Sequence, residues 1–276
     1  MLPCFQFYEK SLIDHLPIVK ISAVIIAFNE EKNIAQAIES VAWADEILVV
    51  DSESTDQTRQ IAEPLRAKVL IQTWLGFAAQ KQFAVDNASH DWVFSLDADE
   101  RVSDELKNEI LVLKNLSKNE LADGYKIPRL SFYMNRPIRH STWYPDWQLR
   151  FYNRNKGKWK DVLVHESVKL KDDAKIEKLH GDILHYSMEN AAHHNRKLTE
   201  LYAPLAAEQM FLQGIRTSPL KIVFAGFSAF FQNFILKAGF LDGFAGFCIA
   251  RFASHYTFLK YLLLWEKQKN ETSNSD

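Results

Sequence analysis

Residues Trp92–Arg101 read WVFSLDADER, and the fold is decided at the point where that apolar run meets its carboxylates. Trp92 to Leu96 has the length and the aromatic and β-branched character of a buried strand. It ends in Asp97-Ala98-Asp99-Glu100. On a strand that continued, Asp97 and Asp99 would face the same way. Two hard oxygen ligands at the carboxyl end of a buried strand suit Mg²⁺ or Mn²⁺ carrying a phosphorylated substrate. The competing reading is turn chemistry, with Asp97 capping a helix that starts near Ser103.

Upstream, the same pattern repeats. Ile18–Phe28 is a near-continuous apolar run ending at Asn29-Glu30, as expected of a central strand covered on both faces. Glu31–Val41 carries Ile34, Ala37, Ile38 and Val41 at helical spacing. Glu46–Val50 is a second strand, ending at Asp51. Residues 56–65 form a helix, Lys68–Ile71 a strand, Ala78–Ala88 a helix, and Ser103–Leu113 a helix after the Trp92 strand. Alternating strands and helices predict an open, mostly parallel α/β sheet over the first 115 residues. Ligands of such sheets bind beyond the carboxyl ends of the strands, where Asn29-Glu30, Asp51-Ser52 and Asp97–Asp99 all lie. No glycine-rich dinucleotide or P-loop signature is present.

Gly124–Tyr186 is rich in aromatics and arginine, with strands expected at Gly124–Pro128, Gln148–Tyr152 and Val162–Leu170. Its candidate site residues are Asp146, Arg150, Arg154, His165, Glu166 and His185. Guanidinium forks suit phosphates, so Arg150 and Arg154 are candidates to contact one. Glu166 lies in an otherwise apolar strand, where a carboxylate needs a reason. Asp146 follows Pro145 and reads equally as a turn residue.

From Ala191 to Gln213 a helix is expected, with Leu198, Leu201, Leu205 and Met210 as its buried stripe. Leu220–Trp265 then holds ten of the nineteen phenylalanines. From Arg216 on, seven Lys/Arg stand against four Asp/Glu, although the whole chain carries a net charge of −2. The longest uncharged run, Ile222–Leu236, is shorter than the ~20 residues of a typical span. Aromatics interleaved with basic residues fit helices lying in a membrane interface; packing on the catalytic core or on a second subunit is the alternative. The basic residues are dispersed through apolar sequence, which disfavours nucleic acid. A hydrophobic content of 47% with 25% charged residues supplies a core and argues against disorder. Cys4 and Cys248 form no framework, and the stretch MLPCFQFYEK lacks the pattern of a secretory leader, so a reducing, cytoplasmic setting is expected.

Four blocks, SAVIIAFNEEKNI (Ser22–Ile34), VVDSESTDQT (Val49–Thr58), GFAAQKQFAVDNASHDWVFSLDADE (Gly76–Glu100) and LVHES (Leu163–Ser167), occur in an order and spacing that resemble glycosyltransferase family 2, with its GT-A nucleotide-sugar fold. The C-terminal part resembles the lipopolysaccharide inner-core β-1,4-glucosyltransferase subgroup. The resemblance implies a catalytic domain over residues 18–190, with a nucleotide-sugar half at 18–115 and an acceptor half at 116–190, then a helical membrane-associating region at 191–269.

It also implies roles. Phe28, Asn29 and Glu30 line the base and ribose pocket, and Asp51 accepts a hydrogen bond from the uracil N–H. The family's glycine after that aspartate is absent, Ser52-Glu53-Ser54 standing in its place. Lys81 lies near the nucleotide, or is a solvated surface lysine. Asp99 binds Mg²⁺ or Mn²⁺ directly, while Asp97 orients the ribose or a metal-bound water. His185 is a third metal ligand or a hydrogen-bonded core histidine. Glu166 is the base, with Asp146 the alternative, and His165 orients Glu166 or contacts phosphate. The implied reaction is inverting transfer of a hexose from a UDP-sugar, UDP-glucose favoured, to a lipopolysaccharide core heptose, by an enzyme peripheral on the inner face of the cytoplasmic membrane. A polyprenyl-phosphate acceptor, or a non-catalytic sugar-nucleotide or glycan-binding scaffold, are the rival readings.

Overall fold

A computed structural model describes residues 19–117, 119–160, 167–186, 188 and 190–273. The parallel strands of the first half are β1 (Ile21–Ala27), β2 (Glu46–Asp51), β3 (Lys68–Ile71) and β4 (Trp92–Asp97). Between them run helices α1 (Ile34–Ser40), α2 (Thr58–Ala62) and α3 (Phe77–Asp86). After β4 come β5 (Glu100–Val102) and α4 (Asp104–Lys114). The later strands are β6 (Gly124–Tyr133), β7 (Arg136–Pro137), β8 (Asp146–Asn153), β9 (Gly157–Trp159), β10 (Val168–Leu170), β11 (Ile176–Lys178) and β12 (Ile183–His185). In the main sheet the order is β3-β2-β1-β4-β8-β6-β12-β5, with β7 and β11 on β6. The GT-A-type α/β architecture expected of the sequence is the one observed.

The described chain divides into two compact units. The first holds residues 19–128, 147–160 and 167–183. Its order β3-β2-β1-β4 is parallel throughout, and β8 adds antiparallel to β4 through Trp92↔Asn153 and Phe94↔Phe151. Alternation along β1 sends its side chains to two cores. Ile21, Ala23 and Ile25 meet α1 and α4 through Ile34, Ile38, Leu106 and Ile110, whereas Val24 joins Leu48, Val50, Ala84 and Val85 on the α3 side. Burial on both faces is why the run reads as continuously apolar.

Local chemistry sets the helix ends. The helix expected over 56–65 is α2 followed by a 3-10 turn, Glu63–Leu65, because Pro64 has no N–H to continue it. Ser103 caps α4, its Oγ accepting from Leu106 N at 3.2 Å. The cap assigned to Asp97 in the competing reading therefore belongs to Ser103. Gly181 lies against the start of this helix, where a Cβ would sit 2.1 Å from Leu106 N.

The second unit holds residues 129–146 and 184–273 of the described chain. Its helices are α5 (Ala191–Arg196), α6 (Ala203–Leu212), α7 (Pro219–Phe231) and α8 (Gly243–Ser273). A π-helical turn, Lys197–Tyr202, links α5 to α6, and a second, Gln232–Leu236, extends α7. The first of these alters the expected stripe. The buried positions are Leu198, Ala203 and Ala207, and Leu201 is exposed. The wider π turn inserts a five-residue step between Leu198 and Ala203 and rotates Leu201 outward.

Tyr133, Ile138, Ala245 and Ile249 form this unit's core, with Trp143 and Phe252 packed on it. Asp242 accepts from Arg139 N and His140 N at 3.2 and 2.9 Å, and Asn233 Oδ1 accepts from Thr142 Oγ1 at 2.7 Å. Pro219–Leu236 is long and apolar enough to cross a membrane by length and composition, with 17% of it buried. The helix thus exceeds the uncharged run read from the sequence, because Lys221 lies within it.

Candidate active site

Strand order reverses between β1 and β4, and ligands of open α/β sheets bind at such a switch point, beyond the carboxyl ends. Registers place the polar ends together: Ala27 pairs with Asp51, and Ile26 with Asp97. Asn29 follows β1 in the left-handed region, at φ 53°. Its backbone N donates to Ser54 Oγ at 2.9 Å, and its Oδ1 accepts from Thr55 N at 2.8 Å. Glu30 N donates to Thr58 Oγ1 at 2.8 Å. The loops after β1 and β2 are thereby stitched into one surface, beside which Phe28 is 56% exposed. Glu53 adopts φ 62°, a conformation that favours glycine, in the loop where the family's glycine is missing.

Asp51 is fully buried. Its Oδ2 accepts from Ser54 N at 2.9 Å and lies 3.6 Å from Arg59 Nε. Its Oδ1 has no hydrogen-bond partner among the described residues. Leaving a buried acceptor unpaired costs about 1–3 kcal/mol, so such an atom marks a place where a donor is expected.

At the end of β4 the chain does not continue as a strand. Ala98 and Asp99 form a turn into β5, closed by Asp97 N donating to Glu100 Oε2 at 3.0 Å. The two aspartates therefore do not share a strand face. Asp97 is held by two cations: Lys81 Nζ lies 2.9 Å from Oδ1, and Arg150 Nη2 lies 3.0 Å from Oδ2. The same Arg150 nitrogen donates to Glu100 Oε1 at 3.0 Å. Lys81, Arg150 and Glu100 are buried. Burial alone would raise the Asp97 carboxyl. The Arg150 guanidinium and then the Lys81 ammonium overcome that and hold it well below the usual carboxylate range. Lys81 also stands 4.9 Å from the Trp159 ring centre.

These contacts change several expectations. Lys81 is an internal partner of Asp97, and the solvated-lysine reading is wrong for it. Arg150 is buried and reaches two carboxylates, Asp97 and Glu100, through Nη2. Arg154 donates through Nη1 to the carbonyls of Val85 and Ala88, at 3.1 and 2.5 Å, closing the end of α3. Asp146 begins β8 and receives Arg129 Nε and Nη2 on one oxygen, at 2.9 and 2.6 Å. His185, half-buried, has Nδ1 3.3 Å from Ser131 Oγ. Glu166 and His165 lie outside the described residues. Among the described residues no three His, Cys, Asp or Glu side chains are gathered to hold a metal ion. Asp99 lies half-buried in the turn between β4 and β5. A single protein carboxylate fits Mg²⁺, which completes its shell with water and substrate phosphate.

Four residues of this region escape sequence reading. Arg59 reaches Asp51 and the Ser54 carbonyl, and Gln80 donates to Ser52 Oγ at 3.0 Å. Glu100 reads as a solvated neighbour of the acidic pair, and Trp159 as one aromatic among many. The available signal was weak: polar Gln80 and Lys81 adjoin in a helix that is otherwise largely small and apolar.

Residues 22–170 match the family model for glycosyl transferase family 2. An uncharacterized glycosyltransferase of Rickettsia felis is 33% identical over 275 residues, covering 93% of this chain and 94% of its own. The lipopolysaccharide core biosynthesis glycosyltransferase LpsC of Rhizobium meliloti is 27% identical, covering 91% and 94%. Among solved structures, S. aureus TarS 1-349 in complex with UDP-GlcNAc is similar at a TM-score of 0.48 and 16% identity over 92% of both chains.

Proposed function

This chain belongs to glycosyl transferase family 2, and on that premise we propose that it moves glucose from UDP-glucose, with inversion, to a heptose of the lipopolysaccharide core. The observation that carries the donor reading is the buried Asp51, whose Oδ1 awaits a donor at the switch point. A uracil ring N–H satisfies it. Phe28, Asn29 and Glu30 border the base and ribose. Asp97, fixed by Lys81 and Arg150, is a rigid acceptor oriented toward the ribose, and Arg154 acts by holding the end of α3.

Asp99 is the proposed protein ligand of Mg²⁺ or Mn²⁺. When bound, the ion supplies positive charge against that growing on departing UDP. His185 is left out of the ligand set in this reading, given its contact with Ser131. Inversion needs one base on the face opposite the leaving group. Glu166 takes the acceptor hydroxyl proton in this proposal, with His165 orienting it. Asp146, already held by Arg129, is the alternative.

The lipopolysaccharide acceptor is supported by similarity to LpsC across almost the whole chain. Attachment to the cytoplasmic face of the inner membrane is supported by α7. Leu220, Phe224, Phe227 and Phe231 recur on its exposed side, and Phe227 is 73% exposed. Its other side carries Ile222, Gly226 and Asn233 inward, with Asn233 bonded to Thr142. A helix committed on one face and apolar on the other suits the interface better than a span.

The test is UDP release over a panel of UDP-sugars, with core oligosaccharide acceptors, with and without Mn²⁺. Release confined to UDP-glucose, acceptor and metal is the expected result. Release that needs neither metal nor acceptor, or none with any UDP-sugar, overturns the proposal.

A further inference from the structure

Phe244, Phe247, Arg251, His255 and Phe258 are exposed along α8 in steps of three and four, so they form one line on its surface. The middle of that line is basic. Neither Arg251 nor His255 makes an ion pair or side-chain hydrogen bond among the described residues. Both line a pocket of about 220 Å³, together with Gly226, Phe227, Ser254 and Phe258.

The pocket has two kinds of wall. Gly226 and Ser254 are buried, and the helices approach closely there: a Cβ on Gly226 would lie 3.3 Å from the Ser254 carbonyl oxygen. Phe227 and Phe258 are exposed and apolar. An exposed guanidinium and an imidazole beside exposed phenylalanines are complementary to a molecule that is anionic at one end and apolar at the other. We infer that this pocket binds the phosphate of an anionic phospholipid headgroup, Arg251 and His255 donating to it while Phe227 and Phe258 contact its apolar part. Arg contributes a forked donor suited to phosphate oxygens, and Phe227 and Phe258 offer exposed apolar surface beside it. The inference rests on the membrane attachment proposed above and adds lipid selectivity to it.

Flotation of the full chain with vesicles of phosphatidylcholine alone, or mixed with phosphatidylglycerol, separates the two ideas. Wild type is expected to bind both and to prefer the anionic vesicles. One basic residue near an anionic surface is worth about fivefold in binding. Arg251→Gln should therefore lose about that much on anionic vesicles, and the double variant Arg251→Gln/His255→Gln more, with phosphatidylcholine binding unchanged. Arg251→Lys should restore part of the loss, since it returns the charge without the fork, and unchanged binding to phosphatidylcholine vesicles controls for a folding defect. UDP release with a soluble acceptor should stay at the wild-type level. If the double variant keeps the wild-type anionic preference, or loses binding equally on both vesicles, the headgroup site is wrong while membrane attachment stands. If wild type binds neither vesicle, both fall.

Discussion

In the α/β unit Lys81, Asp97, Glu100 and Arg150 are charged side chains drawn inward and paired, whereas in the helical unit Phe224, Phe227 and Phe231 are apolar side chains left outside. Both are costly in isolation. A buried charge loses hydration that only a close partner replaces, and exposed aromatics order water around them. Under the proposed function the difference separates two tasks. Holding a small polar donor requires fixed dipoles and charges shielded from water. Attachment to a bilayer requires apolar area left uncovered.

The comparison is tested most severely where the inward charges meet chemistry. Asp99→Ala should lower transfer by about 10³-fold or more, since metal stabilisation of charge is worth several kcal/mol. Retained activity, or metal-stimulated UDP binding that survives, would break the metal assignment. Glu166→Gln should bind UDP-sugar normally and turn over about 10²-fold or more slowly. If Asp146→Asn shows that split and Glu166→Gln does not, the base is Asp146.

A smaller effect probes the buried pairs as structure. Asp97→Asn removes the carboxylate that Lys81 and Arg150 share, and should cost about 2–3 kcal/mol, toward the lower end because Asp97 is 23% exposed. Urea unfolding measures it, and an unchanged midpoint would mean the cluster is not structural.

The smallest effect contrasts the units by pH. His194 packs against Phe252 at a ring-centre distance of 4.1 Å and is buried. Burial, aided by the charges of His193 and Lys197, pushes its pKa down to about 4. Its unfolded value is higher, so the unfolded state binds the proton first. Stability is full above the unfolded value of about 6.5 and falls as pH drops toward 4. Between pH 7 and 5 the loss should be about 1–2 kcal/mol. His194→Phe should flatten that slope in thermal melts while keeping the packing. Asp97 responds in the same direction at lower pH: its depressed carboxyl keeps its contribution above the ordinary carboxylate range and loses it progressively as pH falls through and below that range.

How far these features were legible varies by residue. Trp92–Asp97 was readable as a strand because alternation and run length are local properties, and Asp51 was readable as a strand-end acid for the same reason. Lys81 was not, because its helix shows no sharp apolar face and its partners Asp97 and Trp159 lie 16 and 78 residues away. Leu201 was misplaced because a π turn has no periodic signature in sequence. In α7 the abundance of phenylalanine was plain, but every turn of the helix is apolar.

Taken alone, the sequence determined the alternating strands and helices, the strand ends that carry Asn29, Asp51 and Asp97, and an aromatic, basic C-terminal region. These follow from backbone periodicity and composition, which act over a few residues. The tertiary structure decided that Arg150 joins Asp97 to Glu100, that Asp51 keeps one buried oxygen unpaired among the described residues, and which phenylalanines of α7 face outward. Coulombic pairing and burial depend on distance in space, and the partners involved are brought together only when the sheet and the helices have packed.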